Sequence, residues 1–221
     1  MGRLIHDRLE AGHLLAAKLR AYRGRTDVVL LGLARGGVEV ARGIADDLKI
    51  PLDVLLVRKL GVPGYPELAM GAIASGNVRI IDSTVVEAYG LSKSEVESVT
   101  KAERQELERR ERVYRGNRQQ LDLRGCAAIL VDDGMATGST MRAAIAAARK
   151  AGAARVIIAA GVAPFSTYLI LSSEADEVVC LRTPRAFWSV SQFYEEFPQL
   201  TDDDVVSLLA VESAEGKDTA A

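Results

Sequence analysis

With 221 residues, the chain is long enough for one substantial hydrophobic core and short for two. It is 48% apolar and 26% charged, the balance of a globular domain, and its formal net charge of -2 gives no field for general nucleic-acid attraction. Cys126 and Cys180, both in predicted strands, read as reduced core thiols rather than a disulfide or a metal pair.

No apolar run reaches membrane-spanning length and the start does not resemble a signal peptide, so the expected location is the cytoplasm, with no membrane or nucleic-acid partner. The two histidines, His6 and His13, lack any metal or catalytic spacing and read as surface or packing residues. Chemistry is left to carboxylates, Arg, Lys and backbone amides.

In chain order, Asp7–Arg20 predicts a helix with an apolar stripe through Leu9, Ala16 and Leu19. Val28–Leu33 reads as a buried strand that ends at Gly36-Gly37, Val38–Leu48 as a helix, and Asp53–Val57 as a second strand. This is the unit from which open parallel sheets are built. Pro63, Gly64 and Pro66 predict a break over Gly61–Glu67. Leu68–Ala74 and Val78–Asp82 then flank Ser75-Gly76-Asn77 as a hairpin. Ser92-Lys93-Ser94-Glu95 fits a capping box that opens a long helix to Arg115, with Val96, Val99, Leu107 and Tyr114 on one face. Lys101–Arg118 carries seven basic and four acidic residues, a net +3 that reads as a solvated face with i,i+4 pairs.

The strand pattern resumes at Ala127–Val131, followed by a helix over Ser139–Lys150, a strand Arg155–Ala160, a helix near Ser166–Ser172 and a strand Glu177–Leu181. The expectation is an α/β fold: one open, mostly parallel five-stranded sheet with helices on both faces. Residues 1–210 form a single domain, with the hairpin and charged helix of 61–120 inserted within it. The small, polar segment 211–221 reads as a disordered tail.

The most informative stretch is Ile129–Thr140. It begins as a buried strand, leaves the sheet at Asp132-Asp133, and enters a helix through Ala136-Thr137-Gly138-Ser139-Thr140. In open α/β sheets ligands collect beyond the carboxyl ends of strands. Successive amides at a helix start, with the hydroxyls of Thr137, Ser139 and Thr140, suit a phosphate monoester. Two carboxylates suit sugar hydroxyls or a bound Mg²⁺. One ligand carrying a phosphate and a vicinal diol satisfies both halves. The loop lacks the Lys of a nucleotide-triphosphate P-loop, and Gly32–Gly37 does not match a dinucleotide fingerprint.

On these residues the chain resembles the type I phosphoribosyltransferases, from about Val28 to Leu200, and most closely an uncharacterised bacterial subgroup carrying Leu33-Ala34-Arg35-Gly36-Gly37 and Val57–Gly64. The resemblance implies that Asp132 and Asp133 hold the ribose hydroxyls, directly or with Mg²⁺, and that Ala136–Thr140 hold the 5-phosphate. It further implies that Ala34, Arg35, Gly36 and Gly37 form a pyrophosphate loop with a cis peptide at Ala34–Arg35. Arg58 and Lys59, at the end of the second strand, become candidates for neutralising pyrophosphate, with strand alternation pointing one of them at the ligand. Gly61–Ser75 occupies the region of a mobile lid and fits a fixed hairpin equally well. Residues 182–200 resemble a hood, in which Phe187 or Trp188 stacks on a flat acceptor or caps the sheet edge.

The resemblance implies Mg²⁺-dependent transfer of a 5-phosphoribosyl group from phosphoribosyl pyrophosphate to a small nitrogen acceptor. A sensor that binds the donor without turnover, and a hydrolase acting on the same anomeric carbon, stay open beside it. Where 6-oxopurine enzymes carry an Asp before Thr-Gly, this chain has Ala136, and Gly161–Pro164 lacks their Lys, which argues against hypoxanthine or guanine. A homodimer through the apolar face of the long helix is expected.

Overall fold

The computed structural model describes residues 3–116 and 122–210. Helix α1 (Arg8–Lys18) precedes the unit β1 (Val28–Leu33), α2 (Gly36–Leu48) and β2 (Leu52–Leu55). An antiparallel insertion follows, made of β3 (Val57–Val62), β4 (Tyr65–Ala74) and β5 (Val78–Ile81), then α3 (Ser83–Ala88) and α4 (Lys93–Arg115). The alternation then resumes as β6 (Ala127–Gly134), α5 (Ser139–Lys150), β7 (Arg155–Val162), α6 (Phe165–Glu174) and β8 (Glu177–Arg182), and α7 (Asp202–Ala210) closes the described chain.

Five strands form one parallel sheet in the order β2-β1-β6-β7-β8, as the pattern predicts. From β1 the chain moves outward to β2, whereas from β6 it moves the other way to β7 and β8. The order therefore reverses between β1 and β6, and a crevice opens there at the carboxyl ends. One sheet face packs α1, α2, α4 and α7 around Leu30, Ile44, Ile129 and Leu209, and the other packs α5 and α6 around Leu31, Leu130, Met141 and Ile158.

Several local expectations need correction. Of the expected α1 stripe, Ala16 and Leu19 are buried but Leu9 is exposed, and the face is completed by Arg8, Ala11, Gly12 and Leu15, so it contains a charge. The expected break at Gly61–Glu67 shrinks to Pro63-Gly64: β3 runs through Val62 and β4 begins at Tyr65, with register shifts around Gly61 that leave Pro66 in a bulge between the pairs Val62–Tyr65 and Gly61–Ala69. Arg58 and Lys59 accordingly lie in the antiparallel β3, not at the end of the parallel β2. The long helix has its capping box between Ser92 and Glu95, but Val96, Leu107 and Tyr114 are buried within the same chain, so its apolar face is not free for a second copy. Its charged side is internally paired as expected: Arg109 and Arg110 both bond Glu106 and hold it down to about 2. Cys126 falls one residue before β6, Cys180 lies in β8, and both are free thiols. The expected tail at 211–221 lies outside the described residues.

Candidate functional site

The two loops singled out in the sequence leave the carboxyl ends of adjacent strands. Gly32 of β1 is in register with Val131 of β6, so Leu33–Gly37 and Asp132–Thr140 flank the crevice at the reversal of strand order. Their approach depends on missing side chains. A Cβ on Gly36 would stand 1.9 Å from Asp133 Oδ2, and one on Gly37 would stand 2.3 Å from Val131 O. The Ala34–Arg35 peptide is cis, as the resemblance implies, and Arg35 is partly buried at the entrance to α2.

Because β6 continues to Gly134, both acids still follow strand alternation. Asp133 shares parity with Ile129 and Val131 and faces the α1–α2 layer. There Arg8 Nε donates to Asp133 Oδ2 at 2.7 Å, with the two side chains 6% and 14% exposed. Asp132 Oδ1 instead accepts the Asp133 amide at 2.9 Å. Its carboxyl is raised well above the usual carboxylate range, by burial first and by the neighbouring Asp133 charge second. The sequence treats the acids as equivalent; the structure gives them different partners.

Beyond the acids, Met135 N–H donates to Val162 O at 2.9 Å, which holds the chain on the sheet until the loop proper begins. Ala136, Thr137, Ser139 and Thr140 are exposed, and Gly138 turns the chain into α5 with φ +78°. Thr137 Oγ1 lies 3.0 Å from Ser139 Oγ and accepts the Ser139 amide at 3.4 Å. The first helical bond, Arg142 N–H to Gly138 O at 2.9 Å, leaves the preceding amides at the helix mouth. The loop thus combines a helix N-terminus with two hydroxyls on the solvent side, an anion-binding geometry.

Other predicted residues are less well placed. Arg58 is paired with Glu103 of α4, so its charge is already engaged, and Lys59 is exposed in β3. Phe187 stacks on Phe193 at 5.8 Å and packs against the core, which favours the edge-capping role for that ring. Trp188 is 90% exposed and lines a cavity of about 760 Å³ with Arg182, Pro184 and Phe193, at a strand end two positions from β6. Glu195 pairs with His6 at 3.0 Å, and His13 with Asp47 at 3.0 Å, so both histidines are surface residues.

Three supporting residues were missed. Arg8 lies on the buried face of α1 beside the misassigned Leu9, where a charge among Ala and Leu was the available signal. Tyr194 donates its hydroxyl to Asp133 O at 2.7 Å, and burial raises its phenol above the ordinary value. It sits in the aromatic cluster after β8. Thr167 donates to Ala136 O at 2.7 Å and pins the Ala136–Thr140 loop from α6; no sequence pattern marks it.

Among the described residues no three His, Cys, Asp or Glu side chains form a metal-ligating group, and no helix is long and apolar enough to cross a membrane. With Asp133 held by Arg8, the carboxylate left to face Mg²⁺ is that of Asp132, and one carboxylate suits an ion that keeps waters and takes ligand oxygens for the rest of its shell.

The sequence profile of the phosphoribosyl transferase domain matches residues 5–197. A protein from two strains of Mycobacterium tuberculosis, described as a phosphoribosyl transferase, is 45% identical over 207 residues, or 94% of this chain. The chain spans 46% of that relative, about half its length. The crystal structure of TT1426 from Thermus thermophilus is 38% identical, with a TM-score of 0.81 over 94% of this chain and 98% of the other. The AQ2163 protein of Aquifex aeolicus, 10% identical with a TM-score of 0.51 over 80% of this chain and 74% of the other, shares the fold alone. The chain belongs to the phosphoribosyl transferase domain family.

Proposed function

We propose that the protein transfers a 5-phosphoribosyl group from phosphoribosyl pyrophosphate to a nitrogen acceptor, releasing pyrophosphate in a Mg²⁺-dependent reaction. The observation that carries this reading is the meeting of the Leu33–Gly37 and Asp132–Thr140 loops at the reversal between β1 and β6. A donor with a phosphate at one end, a diol in the middle and pyrophosphate at the anomeric carbon matches the order of groups along that crevice.

Ala136–Thr140 would hold the 5-phosphate through amides and hydroxyls. Asp132 would accept from a ribose hydroxyl, with Asp133 held behind it by Arg8. In the reaction the bond from the anomeric carbon to pyrophosphate oxygen breaks, and its electron pair leaves with pyrophosphate. The acceptor nitrogen forms the new bond and gives up a proton to solvent. Amides of Ala34–Gly37 and the Arg35 guanidinium stabilise the departing anion. Arg58 would add charge there by exchanging its bond to Glu103 for the ligand, and Lys59 offers a second ammonium on the same strand. Asp132, with Asp133 behind it, would hold Mg²⁺ beside the donor, where the ion would supply further positive charge at the leaving group. Trp188, more than Phe187, offers a free ring for a flat acceptor. A homodimer, whose mass light scattering checks, would use a surface other than the apolar face of α4.

Pyrophosphate release from donor and Mg²⁺, measured with and without a panel of nitrogen bases, tests the reading. Release that depends on an added base supports transfer. Release without any base indicates a hydrolase, and binding without release indicates a sensor.

A further inference from the structure

Four segments far apart in sequence meet at one buried guanidinium. Arg8 opens α1, immediately after Asp7, whose carboxylate caps the helix by accepting from Glu10 N–H at 2.7 Å. The helix lies close against α2, since a Cβ on Gly12 would stand 2.3 Å from Val40 O. From that position Arg8 Nε bonds Asp133 at 2.7 Å, and a terminal nitrogen bonds Pro198 O at 2.7 Å and approaches Glu39 at 3.8 Å. The guanidinium carbon stands 3.8 Å from the centre of the Phe197 ring. The acid pair, the helix after the pyrophosphate-type loop, and the segment after β8 are thereby tied to one planar group.

We infer that Arg8 is a positioning residue for donor binding, one that fixes Asp133 and the 193–198 segment together so that the neighbouring Asp132 meets the ribose at a set distance. The inference rests on the proposed phosphoribosyl site. Three requirements coincide at Arg8: an Nε–H aimed at a carboxylate, a second N–H aimed at a carbonyl, and a flat cation over an aromatic face. A guanidinium meets all three at once, and an ammonium does not. A charge pair this buried is poor value as mere stabilisation, because apolar replacements of similar volume often stabilise as well or better. Its location at the carboxyl end of β6, beside the acids rather than deep in the core, is what a positioning role requires. At metal sites, groups that orient the ligating residues from behind change affinity or activity by about 10–100-fold when replaced, and an orienting group behind an acid is expected to act on the same scale.

The test is calorimetry of the full chain with Mg²⁺ and phosphoribosyl pyrophosphate, run beside thermal melts. Arg8→Lys keeps the charge and loses the planar geometry; Phe197→Leu keeps the ion pair and loses the stacking face. Folded Arg8→Lys is expected to bind the donor about tenfold or more weakly, with the KM for donor rising and the KM for acceptor unchanged. Phe197→Leu should shift donor affinity in the same direction, and the double variant should be no weaker than the weaker single variant, because both act through one group. Unchanged donor affinity in the folded variants, or fully additive losses, overturns the inference. If Arg8→Lys does not fold, Phe197→Leu decides by the same criterion. Wild-type protein that fails to bind the donor overturns the phosphoribosyl reading and this inference with it, whereas wild-type binding with unaffected variants overturns the inference alone.

Discussion

Replacing the two neighbouring acids one at a time should give opposite effects on stability. Asp133 is 14% exposed and bonded at 2.7 Å to Arg8, itself 6% exposed. Removing one partner of a buried ion pair costs about 3–5 kcal/mol, because the other charge is left uncompensated. Asn retains an oxygen for Arg8, so Asp133→Asn should fall at the lower end, about 3 kcal/mol. For a chain of this size each kcal/mol moves the melting midpoint by roughly 2–4 °C, giving a loss of about 6–12 °C. Asp132 is the reverse case. Its folded pKa is raised above the unfolded one, so its favourable contribution is complete below the unfolded value of about 3.9 and is lost as pH rises through the folded value. At about pH 7.5, above the unfolded value, the site's preference for the neutral carboxyl opposes folding, and Asp132→Asn should raise the midpoint. Thermal melts of both variants at that pH, with donor binding measured beside them, make the comparison. Equal midpoints, or a larger loss for Asp132→Asn, would refute the assignment of Asp133 to the Arg8 pair and Asp132 to the ligand.

Gly36→Ala places a methyl 1.9 Å from where Asp133 Oδ2 now lies, so it should weaken donor binding by about tenfold or more, as displacing a supporting group does; titration calorimetry checks it, and wild-type affinity would show that the loops can separate freely. Donor affinity should fall as pH is lowered through the raised Asp132 value, since a diol or cation favours the ionised carboxyl. Asp132→Asn should flatten that dependence, and an affinity that rises on acidification would contradict it. Steady-state rates at fixed donor should rank hypoxanthine and guanine below adenine, a pyrimidine or a simple amine, because Ala136 and Gly161–Pro164 leave two purine edges unmet at about 1–3 kcal/mol each; efficient hypoxanthine turnover would overturn that ranking.

Much of the parallel sheet was legible because buried parallel strands are near-continuous apolar runs, and Val28–Leu33 and Ala127–Val131 are of that kind. The Ser139–Lys150 and Ser92–Arg115 helices were legible for a different reason: their starts carry local chemistry, a glycine turn in one and a Ser-Glu capping box in the other. The Val57–Val62 strand was hidden because Pro63, Gly64 and Pro66 cluster at its end, and only cross-strand pairing with register shifts shows how little chain the turn consumes. At the site, the acid pair and the anion loop are contiguous in sequence and could be read directly. Arg8, Thr167 and Tyr194 reach that loop from 125, 31 and 61 residues away. Their roles depend on how α1, α6 and the segment after β8 pack, which no local spacing encodes. The difference between Asp132 and Asp133 was invisible for the same reason, since it is set by which layer each faces.

A crystal of the protein grown with Mg²⁺ and ribose 5-phosphate would test most directly whether one phosphorylated ribose spans this crevice. The expected density puts the phosphate within hydrogen-bond distance of the Ala136–Thr140 amides and hydroxyls, with a ribose hydroxyl on Asp132 and the Arg8–Asp133 bond intact. A sugar phosphate bound elsewhere, with the Ala136–Thr140 loop empty at saturating ligand, would contradict it.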